Sequence, residues 1–336
     1  MDDSLLLGVT SVAFRNFKAL RATRLSLLPF NLVIGPNGSG KTSLIDALLR
    51  LRTLAKLGPS PAQELPERRD GPELEFHFTP PHDAIGVRLG CVSDVVCDIL
   101  RTEPAVAPGW PALQAELGKI RRYALDHEAM ARPSARADGD ELKANGGNIA
   151  AVLTGLRERQ PAVFAALTAE LVRIMPEFRA LELKERGEGM VELALDLAGN
   201  GVVPGTDVSQ GTLYLIGMLA LAFNPNPPRI LCIEEIDRGM HPRMLREIRD
   251  ALYRLSYPKS AGIDRRHVQV VATTHSPYLI DLFRDHPEEI VLAHKHGRTA
   301  RFERLTDRPD LPELLREGSL GDMWFSGILG GVPDEE

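Results

Sequence analysis

The chain has 336 residues, 43% of them apolar and 26% charged, which is the composition of a globular protein and excludes a disordered or fibrous one. The formal net charge of −6 excludes a strong overall attraction to nucleic acid or anionic lipid, although a local basic face remains compatible with it. Because residues 213–223 form the longest apolar run and no secretory leader pattern opens the chain, we expect a cytoplasmic protein without membrane contact.

The first predicted elements are a hairpin, a buried strand and a helix. Residues 12–17 and 22–28 alternate as the two strands of a hairpin do. Residues 30–34 are predicted to form a buried strand, and the turn-forming residues 35–38 follow it. A helix then begins at residues 40–42 and ends before Gly58.

The middle of the chain mixes strand and helix patterns. Strand-like alternation marks residues 74–78, 84–89, 181–186 and 190–197, and helical periodicity marks residues 148–159 and the stretch from Pro161. Residues 105–140 are rich in Pro, Ala and Arg, which predicts a mobile or loosely helical excursion. The three cysteines, Cys91, Cys97 and Cys232, lack C-x-x-C spacing, so we expect structural thiols rather than a disulfide framework or a zinc site.

The last third alternates strictly between helices and strands. A helix follows Ser209, a strand covers residues 229–234, a helix begins near Pro242, a strand covers residues 267–273, and another helix starts at Pro277. This alternation predicts a mainly parallel sheet covered by helices on both faces. No heptad run of three or four turns is present in the sequence, which argues against long coiled-coil arms.

Residues 35–42, Gly-Pro-Asn-Gly-Ser-Gly-Lys-Thr, fit the phosphate-loop pattern G-x-x-x-x-G-K-[ST] without a mismatch. The glycines allow successive backbone N–H groups to surround phosphates, Lys41 adds a charge at the β and γ oxygens, and the Thr42 hydroxyl can bind Mg²⁺. The predicted ATP-binding residues of this loop are Gly35, Pro36, Asn37, Gly38, Ser39, Gly40, Lys41, Thr42 and Ser43.

Two adjacent carboxylates, Glu234 and Glu235, end an apolar strand. Side chains alternate along a strand, so the two cannot have the same role. We expect Glu234 to bind Mg²⁺ and Glu235 to orient and polarise the attacking water. The alternative is an ordinary acidic end of a strand.

Two further segments have both a structural and a functional interpretation. Ser209 is a natural helix N-cap, but Ser209, Gln210 and Gly211 at a helix N-terminus also suit a second anion site. His275 ends an apolar strand, where it can hydrogen-bond a γ-phosphate, although the following Ser-Pro is also an ordinary helix start.

The order of these segments resembles the Walker A, signature, Walker B and H-loop order of ABC ATPases. Four segments, residues 14–20, 35–42, 234–242 and 273–277, are similar to the SMC/RecF/OLD-like branch, especially its stand-alone AAA or AbiEii-type ATPases. Ile236 replaces the usual proline, and Glu234 stands where many ABC proteins have Asp. Residues 320–327 also resemble the end of these small ATPases, whereas the glutamine that couples nucleotide to the lateral lobe has only a weak candidate, Gln63.

The resemblance implies an α/β P-loop NTPase with an ABC-ATPase head. Its mainly parallel sheet is flanked by helices, with an N-terminal antiparallel β part and an inserted helical or irregular lobe. We expect residues 1–58 to form the N-terminal ATPase lobe, 59–147 an inserted antiparallel or irregular region, 148–300 the helical lobe and C-terminal ATPase lobe, and 301–336 a tail.

The resemblance also implies an ATP-hydrolysing enzyme that needs Mg²⁺. In ABC ATPases the signature of one subunit covers the ATP of the other, so Ser209, Gln210 and Gly211 are expected to act in trans in an ATP-dependent homodimer. The expected process is either DNA repair or maintenance, or antiphage defence. DNA and a separate effector protein such as a nuclease are candidate partners. The alternative is an ATP-gated scaffold or toxin–antitoxin component with slow hydrolysis and no direct DNA contact.

Three related classes of protein fit the sequence less well. A transporter subunit would lack the strand motif of residues 14–20, and a full SMC tether would carry heptads. A nuclease of the OLD type would need acidic residues on strand ends suited to two metal ions, and we expect none among the 61 residues after His275. Candidates for a DNA-binding basic surface are Arg50, Arg52, Lys56, Arg68, Arg69, Arg121, Arg122, Arg265, Arg266 and His267.

Overall fold

The computed structural model describes residues 8–60, 71–199 and 201–330. They fall into two compact units, each assembled from separate parts of the chain. The first unit takes the described residues of Met1–Arg122, Pro228–Ile236 and Ser256–Glu336, and the second takes those of Tyr123–Pro227 and Asp237–Leu255. The predicted segments 59–147 and 148–300 each contribute to both units.

The regular elements are as follows. The strands of the described residues are β1 (Val9–Phe17), β2 (Leu20–Ser26), β3 (Phe30–Ile34), β4 (Glu73–Phe78), β5 (Gly86–Cys91), β6 (Cys97–Glu103), β7 (Ile120–Tyr123), β8 (Ser134–Ala135), β9 (Phe178–Glu185), β10 (Met190–Leu197), β11 (Val202–Pro204), β12 (Ile230–Ile233), β13 (Gln269–Thr273), β14 (Ile290–His296) and β15 (Thr299–Arg304). The helices are α1 (Lys41–Leu57), α2 (Trp110–Leu117), α3 (His127–Ala131), α4 (Ile149–Arg159), α5 (Pro161–Ile174), α6 (Gln210–Ala222), α7 (Pro242–Ser256), α8 (Pro277–Asp281), α9 (Leu311–Glu317) and α10 (Leu320–Phe325).

The largest sheet has eleven strands in the order β6-β5-β4-β1-β2-β15-β14-β3-β13-β12-β7. Its centre is parallel: β3 pairs with β13 and β14, and β13 pairs with β12. Every residue of β3, β12 and β13 is buried, as expected of strands that are covered on both faces. The parallel pairing brings the carboxyl ends of these strands to one edge, where the predicted site residues follow them.

An antiparallel part extends the sheet on the other side. β1 pairs with β2 and β4, and β4 continues through β5 to β6. In β4 alternate residues are buried, which is typical of antiparallel strands with one face on the core. The expected α/β class with an N-terminal antiparallel part is therefore confirmed.

The second unit has its own small sheet, in which β10 pairs with β9, β11 and β8. The predicted hairpin of β9 and β10 is confirmed. Its turn, Gly187-Glu188-Gly189, has positive φ at all three residues, which the two glycines adopt without strain. In the helix α6 all residues from Gly211 to Ala222 are buried, so this helix lies in the interior of its unit.

The expectation of a loose excursion at residues 105–140 is wrong. This stretch contains α2, β7, α3 and β8. Each of these elements is eight residues or shorter, too short for sequence periodicity to reveal it. Leu113, Leu117 and Ile120 are fully buried, so tertiary packing orders the segment.

The expectation for two of the three cysteines is also wrong. Cys91 and Cys97 form a disulfide, with their Cα atoms 3.7 Å apart. They end β5 and begin β6, where the hairpin register places them opposite each other. A pair that meets across a hairpin turn has no C-x-x-C spacing, so the spacing does not reveal it. Cys232 is a buried thiol, as expected, and burial raises its pKa to about 12.

The tail segment 320–327 has a structural role that the sequence did not reveal. Its helix α10 docks on α8, the helix that follows His275, and the Gly321 N–H donates a hydrogen bond of 2.8 Å to Asp281 Oδ1. A Cβ atom on Gly321 would lie 2.5 Å from the Pro277 carbonyl oxygen. The glycine is therefore required by the close approach of the two helices. None of the helices in the described ranges is long and apolar enough to cross a membrane.

We predict that Gly321→Ala lowers the stability of the first unit by about 1–3 kcal/mol, because the added methyl group overlaps the α8 backbone. The midpoint of thermal unfolding, measured by calorimetry, should fall. Gly318→Ala is the matched control, since its Cβ would meet only the end of Met323 at an ordinary 3.7 Å. Equal midpoints for the two variants would contradict the role of Gly321.

Candidate nucleotide-binding site

The loop between β3 and α1 has the shape of a phosphate cradle. A Cβ on Gly35 would lie 2.4 Å from the Ala293 carbonyl oxygen and 2.5 Å from Ser39 Oγ. Gly38 and Gly40 have φ of 76° and 98°, in the region that favours glycine. Helix α1 starts at Gly40 without a side-chain cap and without an acidic residue in its first turn. Its N-terminal N–H groups are therefore available to an anion.

Lys41 lies inside this loop. Its ammonium donates hydrogen bonds of 2.6 Å to the Gly35 carbonyl and 2.9 Å to the Pro36 carbonyl. Burial lowers the pKa of Lys41 to about 8, and the negative charge of Glu235 acts in the opposite direction. A triphosphate in the loop would add further anionic partners to the buried ammonium.

Thr42 and Glu234 have the donors that Mg²⁺ prefers. The Thr42 side chain is exposed at the start of α1. Glu234 Oε1 and Ser39 Oγ are buried oxygens without a hydrogen bond among the described residues. In residues 8–60, 71–199 and 201–330 no group of three or more His, Cys, Asp or Glu side chains could hold a metal ion alone. The donor set thus fits Mg²⁺ shared between the protein and nucleotide phosphates, which is the usual arrangement for this ion.

The two adjacent carboxylates diverge because the backbone turns between them. Strand β12 ends at Ile233, and Glu235 has φ of 49°, which is uncommon for a residue other than glycine. The turn is fixed by β13, since the Glu235 N–H donates to Thr273 Oγ1 at 3.0 Å and the Ile236 N–H to the Thr273 carbonyl at 3.1 Å. The charge of Glu235 acts on Lys41, whereas Glu234 faces another cation.

That cation is Arg122, the last residue of the first unit before the chain enters the second. Its Nη2 donates to Glu234 Oε2 at 3.1 Å, and its Nε lies 2.9 Å from Glu234 Oε1. In the sequence, Arg122 is a candidate only for a DNA-binding basic surface. The signal available in the sequence was the short apolar–basic run Ile-Arg-Arg-Tyr, which forms the edge strand β7 beside β12.

His275 lies two residues after the end of β13, which lies between β3 and β12 in the sheet. The structure thus places it at the same sheet edge as the phosphate loop and the carboxylates, with an exposed side chain. The turn after it is fixed, because Thr274 Oγ1 accepts a hydrogen bond of 3.0 Å from the Ser276 N–H. Ser276 in turn caps α8, so the helix-start interpretation of Ser276-Pro277 is confirmed.

Ser209, Gln210 and Gly211 lie in the second unit. Ser209 caps α6, and its Oγ accepts a hydrogen bond of 3.3 Å from the Thr212 N–H, as the structural interpretation predicted. A Cβ on Gly211 would lie 2.9 Å from the Gly239 carbonyl oxygen, so the start of α6 packs closely on the segment after the carboxylates. Gln63, Arg68 and Arg69 lie outside the described residues.

Several solved structures share this fold. The chain is similar to three solved heads: an SMC head bound to the C-terminal winged-helix domain of ScpA, the SMC head domain from Thermotoga maritima, and an SMC head with an extended coiled coil bound to the C-terminal domain of ScpA derived from Pyrococcus furiosus. Their TM-scores are 0.60, 0.51 and 0.59, with 14%, 13% and 14% identity. The matches cover 88%, 88% and 93% of this chain and 97%, 98% and 100% of theirs.

At this identity the three structures show the fold alone, which is that of SMC head domains. The family model described as "AAA domain, putative AbiEii toxin, Type IV TA system" matches residues 30–281, more than half of the chain. The chain belongs to this family of AAA domains. No curated protein matches it.

We predict that ATP binding takes up a proton when the pH is above the Lys41 pKa of about 8. Above that pH the lysine of the free protein is largely neutral, and the triphosphate restores its charge, so ATP affinity should fall as pH rises. Calorimetric titrations in two buffers of different ionisation enthalpy, on either side of that pH, measure the uptake.

Two variants control this experiment. Lys41→Arg stays charged throughout and should bind ATP without proton uptake, whereas Lys41→Ala should lose binding. Wild-type binding with the same affinity and no proton uptake on both sides of the pKa would contradict the predicted linkage.

Proposed function

We propose that this protein binds and hydrolyses ATP with Mg²⁺ and does so as an ATP-dependent homodimer. The observation that carries the proposal is the placement of Lys41, Glu235 and His275 at one edge of the sheet, around a helix N-terminus that has no side-chain cap. Membership of the AAA family supports the same activity.

In this proposal each residue of the first unit has one role. The phosphate-loop residues from Gly35 to Ser43 bind the triphosphate, with Lys41 neutralising its β and γ oxygens. Thr42 and Glu234 hold Mg²⁺, which when bound neutralises charge on the leaving phosphates. Glu235 accepts the hydrogen bond of the attacking water, and His275 hydrogen-bonds the γ-phosphate.

The homodimer follows from the place of Ser209, Gln210 and Gly211. They form the N-terminus of α6, a thirteen-residue helix whose dipole favours an anion. In our proposal this N-terminus covers the ATP held by the phosphate loop of a second copy, so that ATP joins the two chains.

For the cellular process we propose DNA repair or maintenance, or antiphage defence, with a partner effector. The SMC-type fold supports it, because two of the similar heads were solved with a domain of a partner protein, ScpA. The second candidate is an ATP-gated scaffold or toxin–antitoxin component with slow hydrolysis, which the toxin–antitoxin description of the family favours. ATP turnover compared with and without DNA separates the two.

We predict different losses for the two carboxylates. Glu235→Gln should bind ATP normally but hydrolyse it about a hundredfold more slowly, because the amide cannot accept the proton of the attacking water. Glu234→Gln should instead raise the Mg²⁺ concentration needed for half-maximal ATP binding. Fluorescent nucleotide titrations and phosphate release measure both. The reverse assignment of the two defects would show that the roles are exchanged.

A mixing experiment tests whether Ser209 acts in trans. Ser209→Arg should bind ATP yet stay inactive and monomeric, and Lys41→Ala should be inactive for lack of nucleotide. A mixed dimer would retain one composite site of two, so equal mixing should restore about a quarter of wild-type activity. Thr206→Arg, which adds the same charge at an exposed position before the cap, is the matched control and should stay active. If Glu235→Gln sediments as a monomer at saturating ATP and Mg²⁺, the dimer is disproved.

A further inference from the structure

The ion pair between Arg122 and Glu234 involves the carboxylate that we propose for Mg²⁺. Both side chains are partly buried, with 37% and 20% of their surface exposed. The two contacts of the pair differ. Nη2 donates a hydrogen bond to Oε2, whereas Nε approaches Oε1 without hydrogen-bond geometry, so Oε1 is held by charge alone.

The surroundings of this pair add further positive charge. The Nη1 of Arg52 in α1 donates a hydrogen bond of 3.2 Å to the Ile120 carbonyl of β7. The charges of Arg52 and Arg122 both act on the buried thiol of Cys232. A divalent cation at Glu234 would therefore bind against the charge of Arg122, and the charge of Arg52 acts in the same region. Carboxylate Oε1 is the atom that can turn to a metal without breaking a hydrogen bond.

The pair also lies beside two points where the chain passes between the units. Arg122 is the last residue before the chain enters the second unit at Tyr123. Glu234 is two residues before Ile236, after which the chain enters the second unit again at Asp237. The ion pair therefore ties together two strands, β7 and β12, whose continuations both belong to the second unit.

We propose that Arg122 is the resting counter-ion of Glu234 and gives up this carboxylate, wholly or in part, when Mg²⁺ and ATP bind. Arg122 is then a positioning residue, and its release reports nucleotide to the segment that begins at Tyr123. The proposal rests on the function proposed above, in which Glu234 holds Mg²⁺. It assigns to Arg122 the role of coupling nucleotide binding to the rest of the chain, for which the sequence offers only the weak candidate Gln63.

Replacement of the arginine tests the exchange. Arg122→Gln removes the competing cation, so half-maximal binding of ATP should need about two- to fivefold less Mg²⁺ than in the wild type, as expected for a partly exposed ion pair. Hydrogen exchange gives a second readout. In the wild type, amides of residues 123–131 should exchange faster once Mg²⁺ and ATP are added, and in Arg122→Gln they should exchange fast before that addition.

Arg121→Gln is the matched control. Arg121 is the neighbouring arginine of the same strand, and it donates to the Gly118 and Ile120 carbonyls at 2.6 and 3.0 Å. The Mg²⁺ concentration for half-maximal ATP binding by Arg121→Gln should equal that of the wild type. ATP binding in EDTA shows that each variant keeps an intact phosphate loop. If Arg122→Gln fails this check, Arg122→Lys, which keeps one charge but loses the two-point contact, should show an intermediate midpoint.

The outcomes separate the two proposals. If the wild type binds no ATP either with Mg²⁺ or in EDTA, the proposed function fails. If it binds ATP but Arg122→Gln has an unchanged or higher Mg²⁺ midpoint, the exchange proposal alone is overturned. An equal decrease in Arg121→Gln would also overturn it, since general electrostatics would then explain the shift.

Discussion

The ammonium of Lys41 lies among backbone carbonyls in a loop from which much of the water is excluded. The Gly35 and Pro36 carbonyls accept its hydrogen bonds, and Gly35 leaves no room for a Cβ between Ser39 and Ala293. The same burial lowers the lysine pKa, and the nearby charge of Glu235 partly restores it. The partly desolvated ammonium of Lys41 therefore favours the binding of an anion in the loop.

The two neighbouring carboxylates, Glu234 and Glu235, likewise each lie near a group of opposite charge. Glu234 is stabilised by Arg122, while Glu235 is turned away by a backbone conformation that hydrogen bonds to acceptors on β13 maintain. Two adjacent residues of one chemical type therefore meet different cations. The division of roles arises from the turn at residue 235, and it depends on the parallel pairing of β12 with β13.

Much of this arrangement could be predicted from the sequence. The strand–loop–helix of residues 30–57 and the alternation after Ser209 have long apolar runs or strict motifs, and the structure confirms the predicted elements. The failures concern features that only tertiary structure creates. β7 has four residues, Cys91 meets Cys97 across a hairpin, and Arg122 meets Glu234 across two strands far apart in the chain. Local sequence patterns do not predict such tertiary contacts.

The position of β3 in the sheet has a consequence for biosynthesis. Its two neighbours are β13 and β14, so Phe30 pairs with Val270 and Leu32 with Ile290. The ribosome makes about 5–20 residues per second, so β3 waits on the order of ten seconds or more for its partners. During that time an apolar strand has both edges unpaired, which invites association with other nascent chains. The N-terminal part of this protein therefore exposes both edges of β3 until residues 269–292 have been synthesised, and chaperone binding during that time would protect it.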